Sequence, residues 1–306
     1  MRKAIFETLF ILAPLVAAFA ALPAVYPNQL LLFNFIVFLI LTQGVNVIYG
    51  FTGYLPFGYV GFFGAGAYGF SLPVLHFQMG ALSALGVAAG AGLVLAVLLI
   101  PLLRLSGAYF AIANLAASMA AFQIVSNPNL TDITKGPYGV SLSGVFDPDA
   151  AYRTALCILA FSIALVIYLR NSRFGLALMA IREDPITAGM AGVNVVRVRA
   201  LAWLLSALLA GLAGGVFAWY VSVFYPETVF SASFSIFAIV FALFGGVATI
   251  AGPVIGVLIL YGTYNAIGIS EPHYFQLIYG GLIMALVLFL PDGLVSIFKQ
   301  WGINVP

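Results

Sequence analysis

The residues able to do chemistry in this chain are few, and the densest group is the run RNSRFGLALMAIREDPITAGMAGVNVVRVR from Arg170 to Arg199. Gly175 to Glu183 is rich in Ala, Leu and Met, good helix formers, and predicts one helix. Asp184-Pro185 supplies a side-chain acceptor followed by a residue that needs no amide partner, which is how a second helix would begin. Gly192 is placed to end it in the left-handed conformation. Ile186, Met190 and Ala191, exposed between cationic flanks, make an amphipathic element suited to a docking partner or to lipid headgroups.

A second group is uncharged and lies inside apolar runs. Gln43 and Asn46 are three apart, Asn114 and Ser118 four apart, so each pair shares one helix face. With Phe57 and Tyr59 from a glycine-rich stretch they are candidates to line a solute path. Hydrogen bonding between helices is the alternative role for the same residues. The histidines, His76 and His273, stand near segment ends without ligand-like neighbours, so no metal site is expected. No carboxylate pair, Ser/His/Asp set or H-E-x-x-H motif stands out, and the chain is not read as an enzyme. No G-x-x-x-x-G-K-[ST] loop occurs, so ATP would have to be bound elsewhere.

The elements that position these residues follow from composition. Of 306 residues only 11 are Lys or Arg and 9 are Asp or Glu, 7% charged against about 25% in soluble domains. With 64% apolar residues the exterior must face lipid. A net charge of +2 without a basic cluster gives nucleic acid nothing to hold. Ten apolar runs are long enough to cross a bilayer: 5–25, 29–49, 54–75, 81–103, 107–126, 152–169, 200–222, 234–249, 252–269 and 274–290. The first is read as an uncleaved membrane helix rather than a signal peptide.

The expected fold is therefore all-α and polytopic, one membrane domain over 1–306, with both termini cytoplasmic. Residues 127–151 are then an external loop and 170–199 the main cytoplasmic loop. Nine basic residues fall inside (Arg2, Lys3, Arg104, Arg170, Arg173, Arg182, Arg197, Arg199 and Lys299) and only Lys135 and Arg153 outside, in keeping with the positive-inside rule.

Glycine crowds 50–69 and recurs at Gly245, Gly246, Gly252 and Gly256, which suggests broken or re-entrant helices. Close packing through Gly86-xxx-Gly90, Gly211-xxx-Gly215 and Gly252-xxx-Gly256 is the other reading. Cys157, the single cysteine, is expected as a small buried hydrophobe. Every charge falls in a loop or near a helix end, which argues against an ion-driven carrier, because such proteins usually place ionisable groups within the bilayer. A self-contained secondary transporter or channel remains the alternative.

The run from Arg173 through Trp219 resembles the cytoplasmic loop and following helix of permease subunits in branched-chain amino acid ABC importers. GYLPFGYVGFFGAGAYG from Gly53 resembles that family's early glycine-rich segment. LSGAYFAIANLA from Leu105, with Thr134-Lys135-Gly136-Pro137-Tyr138-Gly139, resembles its LivM-like type, as do LFGGVATIAGPVIG from Leu243 and Pro291-Asp292-Gly293-Leu294. Ser106 and Lys135 depart from the pattern, standing where a basic residue and a glycine are usual.

The resemblance implies a multi-pass protein of the bacterial inner membrane that pairs with a second permease. Two cytoplasmic ATPases would use ATP, and a periplasmic binding protein would deliver the solute. No cofactor is bound by this chain itself. Family solutes include leucine-like amino acids, urea, short amides and aromatic acids. The stretch from Ala180 to Gly192 would be the coupling helix, with Ala180, Arg182, Glu183, Asp184, Pro185 and Gly192 passing motion from the ATPase. Asp132, Lys135, Asp147 and Asp149 of the external loop are candidates to seat the binding protein.

Overall fold

The computed structural model describes residues 14–270 and the isolated positions 280, 281, 284 and 294. Most of the first expected run lies inside that range, whereas the run 274–290 and the Pro291–Leu294 motif lie almost wholly outside it. In chain order the helices are α1 (Pro14–Ala24), α2 (Gln29–Gly50), α3 (Val60–Phe77), α4 (Ala81–Leu98), α5 (Gly107–Val125) and α6 (Pro148–Asn171). They continue with α7 (Arg173–Glu183), α8 (Pro185–Met190), α9 (Val195–Val221), α10 (Ala232–Gly245) and α11 (Ala251–Ser270). Seven spans, α2 to α6, α9 and Pro226–Gly245, are long and apolar enough to cross a membrane. A two-residue antiparallel ladder, β1 (Val140–Ser141) with β2 (Val223–Phe224), is the one strand pair among the described residues.

Helix starts follow the capping chemistry of the sequence. The side chains of Asn28, Asp147, Ser172, Asp184 and Asn194 each accept a backbone N–H in the first turn of α2, α6, α7, α8 and α9. Pro148 and Pro185 then occupy the first helical position, where no amide is needed. The caps shift two expected boundaries. Asp147 starts α6 four residues before the expected 152, and Asn194 starts α9 well before 200. The expected loop 170–199 is therefore two helices with short links.

Packing divides the glycines. The glycines of α3 and α9 let backbones touch: a methyl on Gly66 would lie 2.1 Å from the Gly211 carbonyl oxygen, so no larger residue fits. Gly252 and Gly256 pack likewise against Gly245, Gly246 and Phe241, closing α10 and α11 into a hairpin. Gly86 and Gly90 differ from the close-packing reading, because nothing among the described residues lies within 4 Å of a methyl at either. Gly86 is exposed on α4 and Gly90 is partly buried. Cys157 also corrects its expectation: it is exposed on α6. Sequence could not separate the two cases, since in a membrane the outward face of a helix is as apolar as the core.

The break expected inside the third run lies at its entrance instead. After a π-turn at Asn46–Gly50, residues 53–59 leave the helix, while α3 itself continues unbroken past Pro73. A second break spans 246–250 between α10 and α11.

The helices alternate between two poles. At one, Arg182 of α7 reaches Gly50, Arg170 of α6 reaches Ala248, and Arg199 of α9 reaches Leu103. At the other, Gln29 donates to Asp149, the His76 ring meets the Ile133 carbonyl at 2.9 Å, and β1 pairs with β2.

Candidate functional site

The two breaks free backbone groups that apolar surroundings cannot satisfy, and Gln43, Asn46 and Asn114 each bond one of them. Asn46 Nδ2 donates to the Thr249 carbonyl at 2.9 Å, and its Oδ1 accepts the Ala248 N–H at 2.7 Å. Gln43 Nε2 donates to the Ile250 carbonyl at 3.3 Å. The three-residue spacing does put both on one face, and that face grips the 246–250 turn.

The 53–59 segment is held from three sides. Asn114 Oδ1 accepts the Gly58 N–H at 2.7 Å, and Ser235 Oγ accepts the Val60 N–H at 2.7 Å. Tyr59, fully buried, donates its hydroxyl to the Ser206 carbonyl at 2.7 Å, and Ser206 Oγ donates to the Gly44 carbonyl at 2.7 Å. Phe57 is exposed. Gln43 Oε1 and Asn114 Nδ2 are buried with no hydrogen-bond partner among the described residues.

Ser118 is brought together with none of these by a hydrogen bond. It lines a cavity of about 240 Å³ between α3, α5 and the turn Pro226–Val229. A second cavity of about 270 Å³, lined by Asn34, Ser233 and aromatic rings including Phe38 and Tyr261, lies between α2, α9, α10 and α11.

At the first pole arginines cap the free carbonyls. Arg182 Nη1 donates to the Gly50 carbonyl at 2.7 Å, at the end of α2. Arg170 Nη1 donates to the Ala248 carbonyl at 3.3 Å, and Arg199 lies over the Tyr54 ring, 4.2 Å from its centroid. Sequence reading singled out Arg182 but missed Arg170, Arg199, Ser206 and Ser235 as partners of the breaks. A lone serine or an arginine at a helix end carries no signal of which carbonyl it will meet.

The helix pair α7–α8 presents Leu176, Ala180, Glu183, Ile186 and Met190 to the exterior, the last two 74% and 85% exposed. Asp184 accepts the Ile186 N–H at 2.9 Å and the Thr187 N–H at 3.2 Å, and also bonds the Thr187 hydroxyl. The Thr187 hydroxyl and then these amides hold its carboxyl below the usual carboxylate range. Gly192 has φ +89°, the left-handed conformation.

In the loop at the opposite pole, Asp147 caps α6 and Asp149 accepts from Gln29, so both carboxylates already have partners. Lys135 has φ +64°, which explains why a glycine suits that position. Among the described residues no group of three or more His, Cys, Asp or Glu could hold a metal ion.

Comparison with known proteins agrees with this architecture. Residues 29–287 match the family described as the permease component of branched-chain amino acid transport systems. The high-affinity branched-chain amino acid permease LivM of Escherichia coli is 28% identical, over 86% of this chain and 68% of its own length. LivH of the same organism is 28% identical over 55% of this chain and 59% of its own, and the L-arabinose ABC transporter permease AraH of Azospirillum brasilense 32% over 40% and 38%. No solved structure matches. The matched family is one of transport permeases, not of enzymes. The chain is a multi-pass permease subunit of an ABC importer and belongs to the branched-chain amino acid permease component family.

Proposed function

We propose that this permease carries branched-chain amino acids, or a related small polar solute, into the cytoplasm with energy from ATP hydrolysed by two partner ATPases. A second permease completes the pathway and a periplasmic binding protein delivers the solute. The pole bearing Arg170, Arg182 and Arg199 faces the cytoplasm, with both termini on that side and ten crossings in all. Six of the eight basic residues from 14 to 270 sit at that pole, which supports this orientation.

The reading is carried by one contact. Arg182 belongs to the helix pair whose far face is open to a partner, and it also grips the end of α2 at Gly50. An ATPase seated on Ala180, Glu183, Asp184, Pro185 and Met190 would shift α7–α8, with Gly192 as the pivot toward α9. Arg182 would pass that shift to the 53–59 break, a rigid-body transmission. Phe57, Tyr59, Asn114, Ser118, Gln43 and Asn46 would flank the solute path. The buried, unpartnered Gln43 Oε1 and Asn114 Nδ2 support this role, since a passing solute or water could satisfy them.

The test is reconstitution of the complete importer with Arg182→Gln. Assembly with the ATPases should survive, while uptake per ATP hydrolysed falls at least several-fold. Unchanged coupling would overturn the transmission role. Failure of Ile186→Asp/Met190→Asp to weaken ATPase binding would overturn the docking face.

A further inference from the structure

One face of α9 runs along the 53–59 segment and holds it near both ends. Arg199, Trp203 and Ser206 are spaced four and three apart, so they line one side of the helix. At the arginine pole the Arg199 guanidinium lies over the Tyr54 ring, which packs edge-on against Phe110 with centroids 4.9 Å apart. One turn further on, Trp203 meets Phe110 and Phe62 edge-on and donates its indole N–H to the Ala96 carbonyl at 3.0 Å. At the far end the Ser206 carbonyl accepts the Tyr59 hydroxyl.

The two ends are held unequally. Tyr59 is 1% exposed, and the Gly58 and Val60 amides beside it bond Asn114 and Ser235 at 2.7 Å. Tyr54 has no hydrogen bond to α9, and the cation over it is itself loosely tied. The single hydrogen bond of Arg199, Nη1 to the Leu103 carbonyl, is 3.5 Å long, and its Nε is buried without a partner. No carboxylate pairs with it among the described residues. A cation over a ring face shifts an equilibrium by about two- to thirtyfold, enough to favour the closed contact while leaving it easily broken. Gly53, exposed at φ +77°, makes the turn out of α2, and a methyl there would meet only Arg182, at 3.7 Å.

We propose that Arg199 is a positioning residue for transport, its contact with Tyr54 being the releasable end of this segment. Residues 53–57 then part from α9 while Gly58 and Tyr59 stay fixed. Arg199 stands in the second turn of α9 after the Asn194 cap, so a shift of α8 about Gly192 reaches it through a short length of rigid helix. The proposal rests on the α7–α8 docking reading above.

The experiment uses the intact importer in lipid nanodiscs, with two readouts. One is backbone hydrogen exchange over 51–57 compared with 58–64, and the other is ATP hydrolysis without solute. Arg199→Met and Tyr54→Leu should each raise opening of 51–57 by about two- to thirtyfold, leave 58–64 unchanged and raise solute-free hydrolysis. Tyr54→Phe, which keeps the ring, should match wild type, Arg199→Lys should fall between, and the double variant should be no worse than the stronger single one. An equal rise over 58–64 would overturn the latch by making Arg199 a general packing residue, as would Tyr54→Phe behaving like Tyr54→Leu. Local opening with unchanged hydrolysis would overturn its part in transport. If Arg182→Gln leaves coupling intact while Arg199→Met gives both effects, the Arg182 transmission fails and the latch stands.

Discussion

Replacing Asn46 by Leu tests whether the 246–250 break is held by a side chain. Leucine keeps the volume and removes both polar atoms, so the Ala248 N–H and the Thr249 carbonyl lose their 2.7 and 2.9 Å partners. An orphaned buried group costs about 1–3 kcal/mol in water-soluble proteins. Hydrogen bonds within membranes are worth less, about 0.6 and at most about 1.7 kcal/mol each, because the unfolded chain finds other partners. Two bonds therefore set an expected loss of about 1–3 kcal/mol. At roughly 2–4 °C per kcal/mol for a chain of this size, the unfolding midpoint in mild detergent should fall by about 2–12 °C.

Gly50→Ala should strain the same joint from its other side, since its methyl would lie 2.3 Å from Asn46 Oδ1 and 2.7 Å from the Ala248 nitrogen. The double variant should then lose less than the sum of the two. A midpoint unchanged within about 1 °C in Asn46→Leu would refute the stapling argument. A changed solute preference at unchanged stability would instead assign Asn46 to the path wall.

Gly192→Val places a β-branched residue at φ +89°, where nothing among the described residues crowds the site, so the expected cost there is conformational. Solute-stimulated ATPase activity should drop well below wild type while expression changes little, and normal stimulation would count against Gly192 as a pivot. Lys135→Gly removes a left-handed lysine at φ +64° and should raise the unfolding midpoint by about 2–4 °C, an effect of about 1 kcal/mol. For Asp184 the folded carboxyl is depressed below 3.8, so its capping contribution is present above that value and is lost as pH falls through the lower, folded value. Hydrogen exchange of α8 amides, corrected for intrinsic rate, should therefore be flat from pH 8 to 5, and a rise in opening within that window would contradict the assignment. Tyr59→Phe leaves the Ser206 carbonyl without its donor and should lower the midpoint by about 2–6 °C, read in the same detergent assay.

Much of this architecture was legible because the signals are local. The cap at Asp184, the proline after it and the left-handed Gly192 are each set by neighbours within a few residues, and the spans follow from length and apolarity. What could not be read was which face of a helix turns inward. Gly66 and Gly86 look alike in sequence, yet one touches the Gly211 backbone and the other faces out, because lipid and protein interior select the same residues. The same blindness misplaced Cys157. Nor could sequence tell that Gln43, Asn46 and Asn114 would bond backbone of segments as far as 207 residues away. Periodicity supplied their shared face, and only the fold supplied its occupant.

The placement of charge at the two poles has an electrical consequence. In the described spans every Asp, Glu, Lys and Arg lies within six residues of a helix end, as Arg153, Arg170, Arg197 and Arg199 do. The membrane potential does work only on charge that moves through its field, about 2.3 kcal/mol per elementary charge per 100 mV. The shift of α7–α8 proposed above would take place at the arginine pole, and the 53–59 and 246–250 segments that it would move carry no Asp, Glu, Lys or Arg. Such a mechanism would be electrically insulated in the described part of the permease, and a voltage clamped across its vesicle should leave its conformational rate nearly unchanged.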